Sequence, residues 1–343
     1  MPTNHRRRFP HSIAGFTLLE LVLVLFLIGL LASAGLLFTQ NIEDQAHFAE
    51  TQRRLEIIRK AIIQGGERSV NGQPELSGFV VDNGRLPYCL AELIGPEFAF
   101  TESVSSVNHY QSPCNTNNLL ELLKPGITDD GIRYGWWGPY IQVNPDNNSD
   151  RPFRDGYGND DQSTNYGWGW TLSESQVAVE MASFDPSADT APRPFDLTVQ
   201  SSGFDMNSTA DDYPPALTDY LIVESDWRNA SDIAIQFVNT SAVSAIENMD
   251  DQTWSMTLAT SGVDSMTFNQ PDFAVTPSGS SLPAGAMYLK TVSLDSEIPV
   301  GYYLINISCT PATNPCPSIR STPFTITILP RQQIAPIRWN LSP

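Results

Sequence analysis

One stretch near the start constrains what this chain can become: "GFTLLELVLVLFLIGLLASAGLLF", residues 15 to 38. Apart from Glu20 it is apolar or small throughout. As a helix rising 1.5 Å per residue, residues 16 to 38 would run about 34 Å, enough for a bilayer core of about 30 Å. Arg6, Arg7 and Arg8 stand just before it. The positive-inside rule keeps such a cluster cytoplasmic, so the expectation is a single-pass anchor with the bulk of the chain outside. A cleaved secretory signal is the competing reading, because "LLASAGLLFTQ" partly imitates a small-residue cleavage site.

Beyond the apolar run, Ile42, Ala46, Ala49, Leu55, Ile58 and Ile62 recur at helical intervals with charges between them. This predicts an amphipathic continuation of the same helix, stopped by Gly65 and Gly66. A separate coiled coil would have only about three heptads to work with.

The leader and the apolar run together resemble the type IV pilin and type II secretion pseudopilin family. That family has a short basic leader ending in Gly, then Phe, then an apolar run with Glu in the fifth place. Here those residues are Gly15, Phe16, Thr17, Leu18, Leu19 and Glu20. The resemblance implies cleavage after Gly15 by a prepilin peptidase and N-methylation of Phe16. It also implies residence in the bacterial inner membrane with the C-terminal bulk in the periplasm. From there an inner-membrane platform would assemble the chain with other pilin or pseudopilin subunits. A carboxylate in an apolar segment costs about 2.5–3.5 kcal/mol at mid-helix, so it is usually there for function. Glu20 can neutralise the new Phe16 amine of a neighbouring subunit and so set axial register. Many members carry a helix-breaking proline where this chain has Leu37. The helix is therefore expected to run straighter, or to melt at Gly35 instead.

Further matches are looser. After the helix come Asn83 to Pro87, then Gly138 to Tyr140, then Asp155, Gly156, Tyr157, Gly158 and Asn159, which resemble stretches of the major pseudopilin. "SSGFDMNSTADDY" is similar to that family's calcium loop, with Ser202, Asp205, Asp211 and Asp212 as oxygen donors. The competing reading is an acidic, solvated loop. From Trp227 the chain becomes short alternating runs separated by turn residues, such as "DIAIQFVN", "TWSMTLAT" and "GYYLINISCT". These predict an all-β sandwich of Ig-like architecture. The expected class is thus α+β: a long transmembrane and amphipathic helix packed on a small antiparallel sheet head (the pilin fold), then the sandwich. The expected division is a cleaved leader at 1–15, the helix at 16–66, the head at 67–225 and the sandwich at 226–343.

Charge and chemistry narrow the function. The formal net charge is -19, with 19 Lys and Arg against 38 Asp and Glu. Such a surface repels phosphate backbones, so no nucleic-acid partner is expected. Cys89, Cys114, Cys309 and Cys316 allow three pairings. An oxidising space favours disulfides, and the local pairs Cys89–Cys114 and Cys309–Cys316 would each staple one domain. Of the four histidines, His5 and His11 are in the leader, His47 is on the helix, and His109 alone is in the head. A Ser-His-Asp triad or a His-rich zinc site has little to draw on, and no enzyme is expected. Trp136, Trp137, Trp168 and Trp170 are candidates for a sugar platform, against the commoner role of aromatics as core. The function expected is a structural subunit, minor rather than major. The alternative is a filament-tip adhesin or ligand-binding protein displayed by the β-sandwich.

Overall fold

A computed structural model describes residues 17–64, 69–70, 73–74, 76–95, 109–112, 114, 121–128, 131–145, 151–159, 165–174, 177–179, 195–204, 212–215, 219–229, 231–249, 252–260, 266–269, 281–292, 298–311, 315–319 and 323–343. The chain divides into two compact units, Met1–Glu50 and Thr51–Pro343.

A single helix, Leu18–Ile62, runs through the first unit and ends in the second. It continues without a break past Gly35 and Leu37. Within the first unit its apolar side chains are exposed: Leu18 is 83% exposed, Leu31 69% and Ile42 64%. From Thr51 the pattern changes. Thr51, Leu55, Ile58, Ala61 and Ile62 are buried, at the spacing of one helix face.

That face enters the first of two hydrophobic cores in the second unit. The short helix Phe79–Asn83 is buried along its whole length and ends at Gly84, whose left-handed backbone (φ 67°) closes the helix. Strand Trp168–Glu174 lies between Val177–Val179 and Asp196–Ser201. Its register sets Trp170 opposite Val199 and Leu172 opposite Leu197, and all four side chains are buried.

The second core joins two four-stranded sheets. One has Met287–Val292, Ile233–Asn239, Ile337–Ser342 and Ser318–Ile319 in that order; the other has Met266–Asn269, Gln252–Thr260, Gly301–Pro311 and Phe324–Ile328. Alternation does the sorting: Ile233, Ile235 and Phe237 point inward along one strand, and Trp254, Met256 and Leu258 along another. Ile233–Asn239 and Ile337–Ser342 pair in parallel. Strand-by-strand alternation gives no warning of such a pairing, because it carries no direction.

The two cores meet within a few residues of chain. Trp227 belongs to the first core, while Arg228–Asn229 pairs with Ile298–Pro299. The Val300 amide donates to the Trp227 carbonyl at 2.8 Å.

Two expectations are corrected here. The first is the fold class. Among the described residues, most structure is short strands in small sheets, and no long helix is apolar throughout. Among its described side chains the long helix buries none before Thr51, and the sheets outside the second core have only two or three strands among the described residues. The second is the single-pass inner-membrane anchor. Among the described residues no helix is long and apolar enough to cross a membrane. The two disulfides fit an extracytoplasmic location.

Candidate functional site

Gly15 and Phe16 lie outside the described residues. Glu20 is placed, and its role in the single chain is local. The Thr17 amide and the Thr17 hydroxyl both donate to Glu20 Oε2, at 2.9 and 3.0 Å. The Glu20 amide donates back to Thr17 Oγ1 at 3.3 Å. This is a reciprocal capping box, which satisfies otherwise orphaned amides at the helix start and places a negative charge at the positive end of the helix. Among the described residues no donor reaches Oε1, so one oxygen of Glu20 stays open.

The proposed calcium donors fall into two groups. Asp205 and Asp211 lie outside the described residues. Ser202 and Asp212 sit at the two ends of the loop, which is closed at its base. The Ser201 amide donates to the Tyr213 carbonyl at 2.7 Å, and the Tyr213 amide to the Ser201 carbonyl at 3.0 Å. The Ser202 hydroxyl donates to the Gly167 carbonyl at 3.4 Å. Among the described residues no three His, Cys, Asp or Glu side chains stand together as a metal site.

The start of this loop is held by Asp155, which in the sequence is only part of a loose match to the major pseudopilin. Its side chain is buried. Oδ1 accepts from the Asn159 amide at 2.9 Å, and Oδ2 from Asn159 Nδ2 at 2.7 Å and Ser201 Oγ at 2.5 Å. Asn159 Nδ2 also reaches the Gly203 carbonyl at 2.7 Å. Residues Asp155 and Asn159 are therefore hydrogen-bonded to Ser201 and Gly203 at the start of the loop.

The cysteines pair as Cys89–Cys114 and Cys309–Cys316, with Cα atoms 5.6 and 6.0 Å apart. Glu92, fully buried, holds both flanks of the first bridge. Its carboxylate accepts from Arg85 through two nitrogens at 2.9 and 3.0 Å, from the Tyr88 amide at 2.9 Å and from Ser112 Oγ at 2.6 Å. The Arg85 guanidinium lies 4.2 Å from the Tyr88 ring centre.

Of the four tryptophans, Trp136, Trp168 and Trp170 are buried in the first core, and only Trp137 is exposed. Trp137 borders a groove of about 380 Å³ lined also by Lys60, Gln64, Asp82, Arg133 and Tyr140. The Tyr140 hydroxyl donates to Asp82 Oδ2 at 2.9 Å. It accepts from the Trp137 amide at 3.2 Å and Asn83 Nδ2 at 3.3 Å. Burial raises the Asp82 carboxyl above the usual range, opposed by the Tyr140 hydrogen bond and the positive charge of Arg133. Burial, then the neighbouring Asp82, pushes the Tyr140 hydroxyl up.

No family model, no curated protein and no solved structure matches the chain.

Proposed function

We propose that this chain is a structural subunit of a filament of the type IV pilus or pseudopilus class, and not an enzyme. One observation carries the reading: the helix from Leu18 to Leu31 leaves large aliphatic side chains open on every side, with Val24 46% and Leu18 83% exposed. Burying one such side chain is worth about 1.5–3 kcal/mol. A single docked partner covers one face of a helix. Covering all faces takes several helices, as in a stack of like or related subunits. The open Oε1 of Glu20 is then the acceptor for the Phe16 amine of a neighbour, after a prepilin peptidase has cut behind Gly15. The loop from Ser202 to Asp212, closed by Ser201 and Tyr213, is proposed to take calcium.

The test is the intact mass and N-terminal residue of the protein purified from its native cells. A chain that begins at methylated Phe16 supports the reading, and one that begins at Met1 or after Ala34 or Gly35 removes it.

A second reading, a tip adhesin that displays the sandwich, draws on one feature. The sheet-edge strand Met287–Val292 exposes Met287 (63%) and Leu289 (56%). Presence along the whole filament would favour the first reading, and a few copies confined to the tip the second.

A further inference from the structure

The groove beside Trp137 combines three chemistries that are seldom kept together without use. It has an aromatic ring held rigidly but left open: Trp137 is 37% exposed, and its indole N–H is taken by the Tyr134 carbonyl at 3.0 Å. The ring is thus fixed, and what it offers a ligand is its surface. Arg133 lies over the ring, 4.4 Å from its centre, which holds a fan of donors at the groove's edge.

The second component is an acceptor. Asp82 is only 9% exposed. Its Oδ2 is occupied by Tyr140, while among the described residues no donor reaches Oδ1. Asp82 lines the groove, and a ligand that covered Oδ1 without donating to it would leave a desolvated acceptor unpaired, which is costly. The third component is a set of donors on the long helix and just beyond it, Lys60 and Gln64. Lys60 is held loosely by Glu56 at 3.5 Å, both side chains being exposed.

These parts discriminate between ligand classes. A bare cation would meet Lys60 and Arg133. A simple anion would meet Asp82. An apolar ligand would bury Asp82 Oδ1 with no donor. A molecule with an apolar face and a rim of hydroxyls satisfies all three at once. We infer that the groove is a saccharide site. One sugar ring would pack its C–H face on the side of Trp137 that Arg133 does not cover, a hydroxyl would donate to Asp82 Oδ1, and Lys60, Gln64 and Arg133 would donate to the sugar oxygens. At about 380 Å³ it holds one or two sugar units. This inference does not depend on the filament reading, because the groove lies within the second unit.

The experiment uses the full chain in a non-glycosidic detergent and follows tryptophan fluorescence. Glucose, galactose, mannose and N-acetylglucosamine are titrated in, each alone and as its trisaccharide. Saturable binding of at least one probe is expected. Trp137→Ala should weaken it about tenfold or more, while Trp137→Phe, which keeps a ring, should lose far less. Both variants lose the bond to the Tyr134 carbonyl, so the contrast between them reads the ring and not that bond, and a circular-dichroism spectrum like the parent's shows that each is folded. No saturable change with any of these probes overturns the inference, as does binding of equal strength in Trp137→Ala.

Discussion

Arg59, near the end of the long helix, donates to Asp226 Oδ2 at 3.2 Å across 167 residues of sequence. Arg331 donates to Oδ1 of the same carboxylate at 2.6 Å, and to the Ser225 hydroxyl at 2.9 Å. Asp226 therefore binds the helix and the last third of the chain at the point where the chain passes from one core to the other. The change of pattern at Trp227 marks an expected domain boundary, and these bonds pin the chain there. Asp226→Asn should lower stability by about 1–2 kcal/mol, since both arginines are partly exposed and screened. Thermal unfolding by calorimetry checks this, and an unchanged melt would remove the junction's role.

Glu92 is a different case, because its carboxylate is wholly buried and pairs with Arg85, whose side chain is 21% exposed. Glu92→Ala leaves the guanidinium uncompensated, and a loss of about 3–5 kcal/mol is expected. Denaturant unfolding of the oxidised protein measures it. A loss below about 1 kcal/mol would mean that Arg85 finds another partner.

The Asp82 carboxyl is raised in the folded state, so the native chain holds its proton at pH values where the unfolded chain, near about 3.9, has released it. Its contribution therefore favours folding at low pH. That contribution is lost as the pH rises from the unfolded value through the raised folded one, and is constant above. Asp82→Asn keeps an acceptor for Tyr140 but cannot titrate. The difference in stability between parent and variant, followed against pH by chemical unfolding, should shift in the variant's favour as the pH rises through that window. A flat difference would contradict the burial argument.

Glu20 has two separable roles. Glu20→Gln keeps the reciprocal cap with Thr17 but removes the charge, because glutamine serves in a capping box as well. Thr17→Ala keeps the charge and the backbone bond to Glu20 but removes both bonds of the hydroxyl, at about 0.5–2 kcal/mol of helix stability. If Glu20 pairs with a neighbour's amine, Glu20→Gln and Glu20→Ala should be made but left out of filaments, while Thr17→Ala is incorporated. Immunoblots of sheared filaments against whole cells would decide. Normal incorporation of Glu20→Gln would leave Glu20 as a cap alone.

Calcium at the Ser202–Asp212 loop should raise the melting point, because a ligand that binds only the folded chain at a hundred times its Kd adds about 2.7 kcal/mol. Asp212→Asn should abolish that gain without disturbing the Ser201–Tyr213 closure, which is made by backbone atoms. Identical melts with calcium and with chelator would refute the site.

What the sequence by itself determined is what depends on near neighbours. The buried stripe Leu55, Ile58 and Ile62 follows from helical spacing. The inward and outward alternation of Ile233 to Phe237 follows from strand spacing. The cysteine pairs join nearby partners, 25 and 7 residues apart. The Thr17–Glu20 cap is also a local pattern, a threonine three residues before a glutamate, although the sequence reading pairs Glu20 with a neighbour's amine. Tertiary structure decided the rest. It set Asp155 against Ser201, Tyr140 on Asp82 and Arg59 on Asp226, separated by 46, 58 and 167 residues. It buried Trp136, Trp168 and Trp170 of the four candidate platform tryptophans and left Trp137 open. A buried polar group needs some partner, but no local pattern names it. Which acid meets which donor is settled only when the cores pack and the distances close.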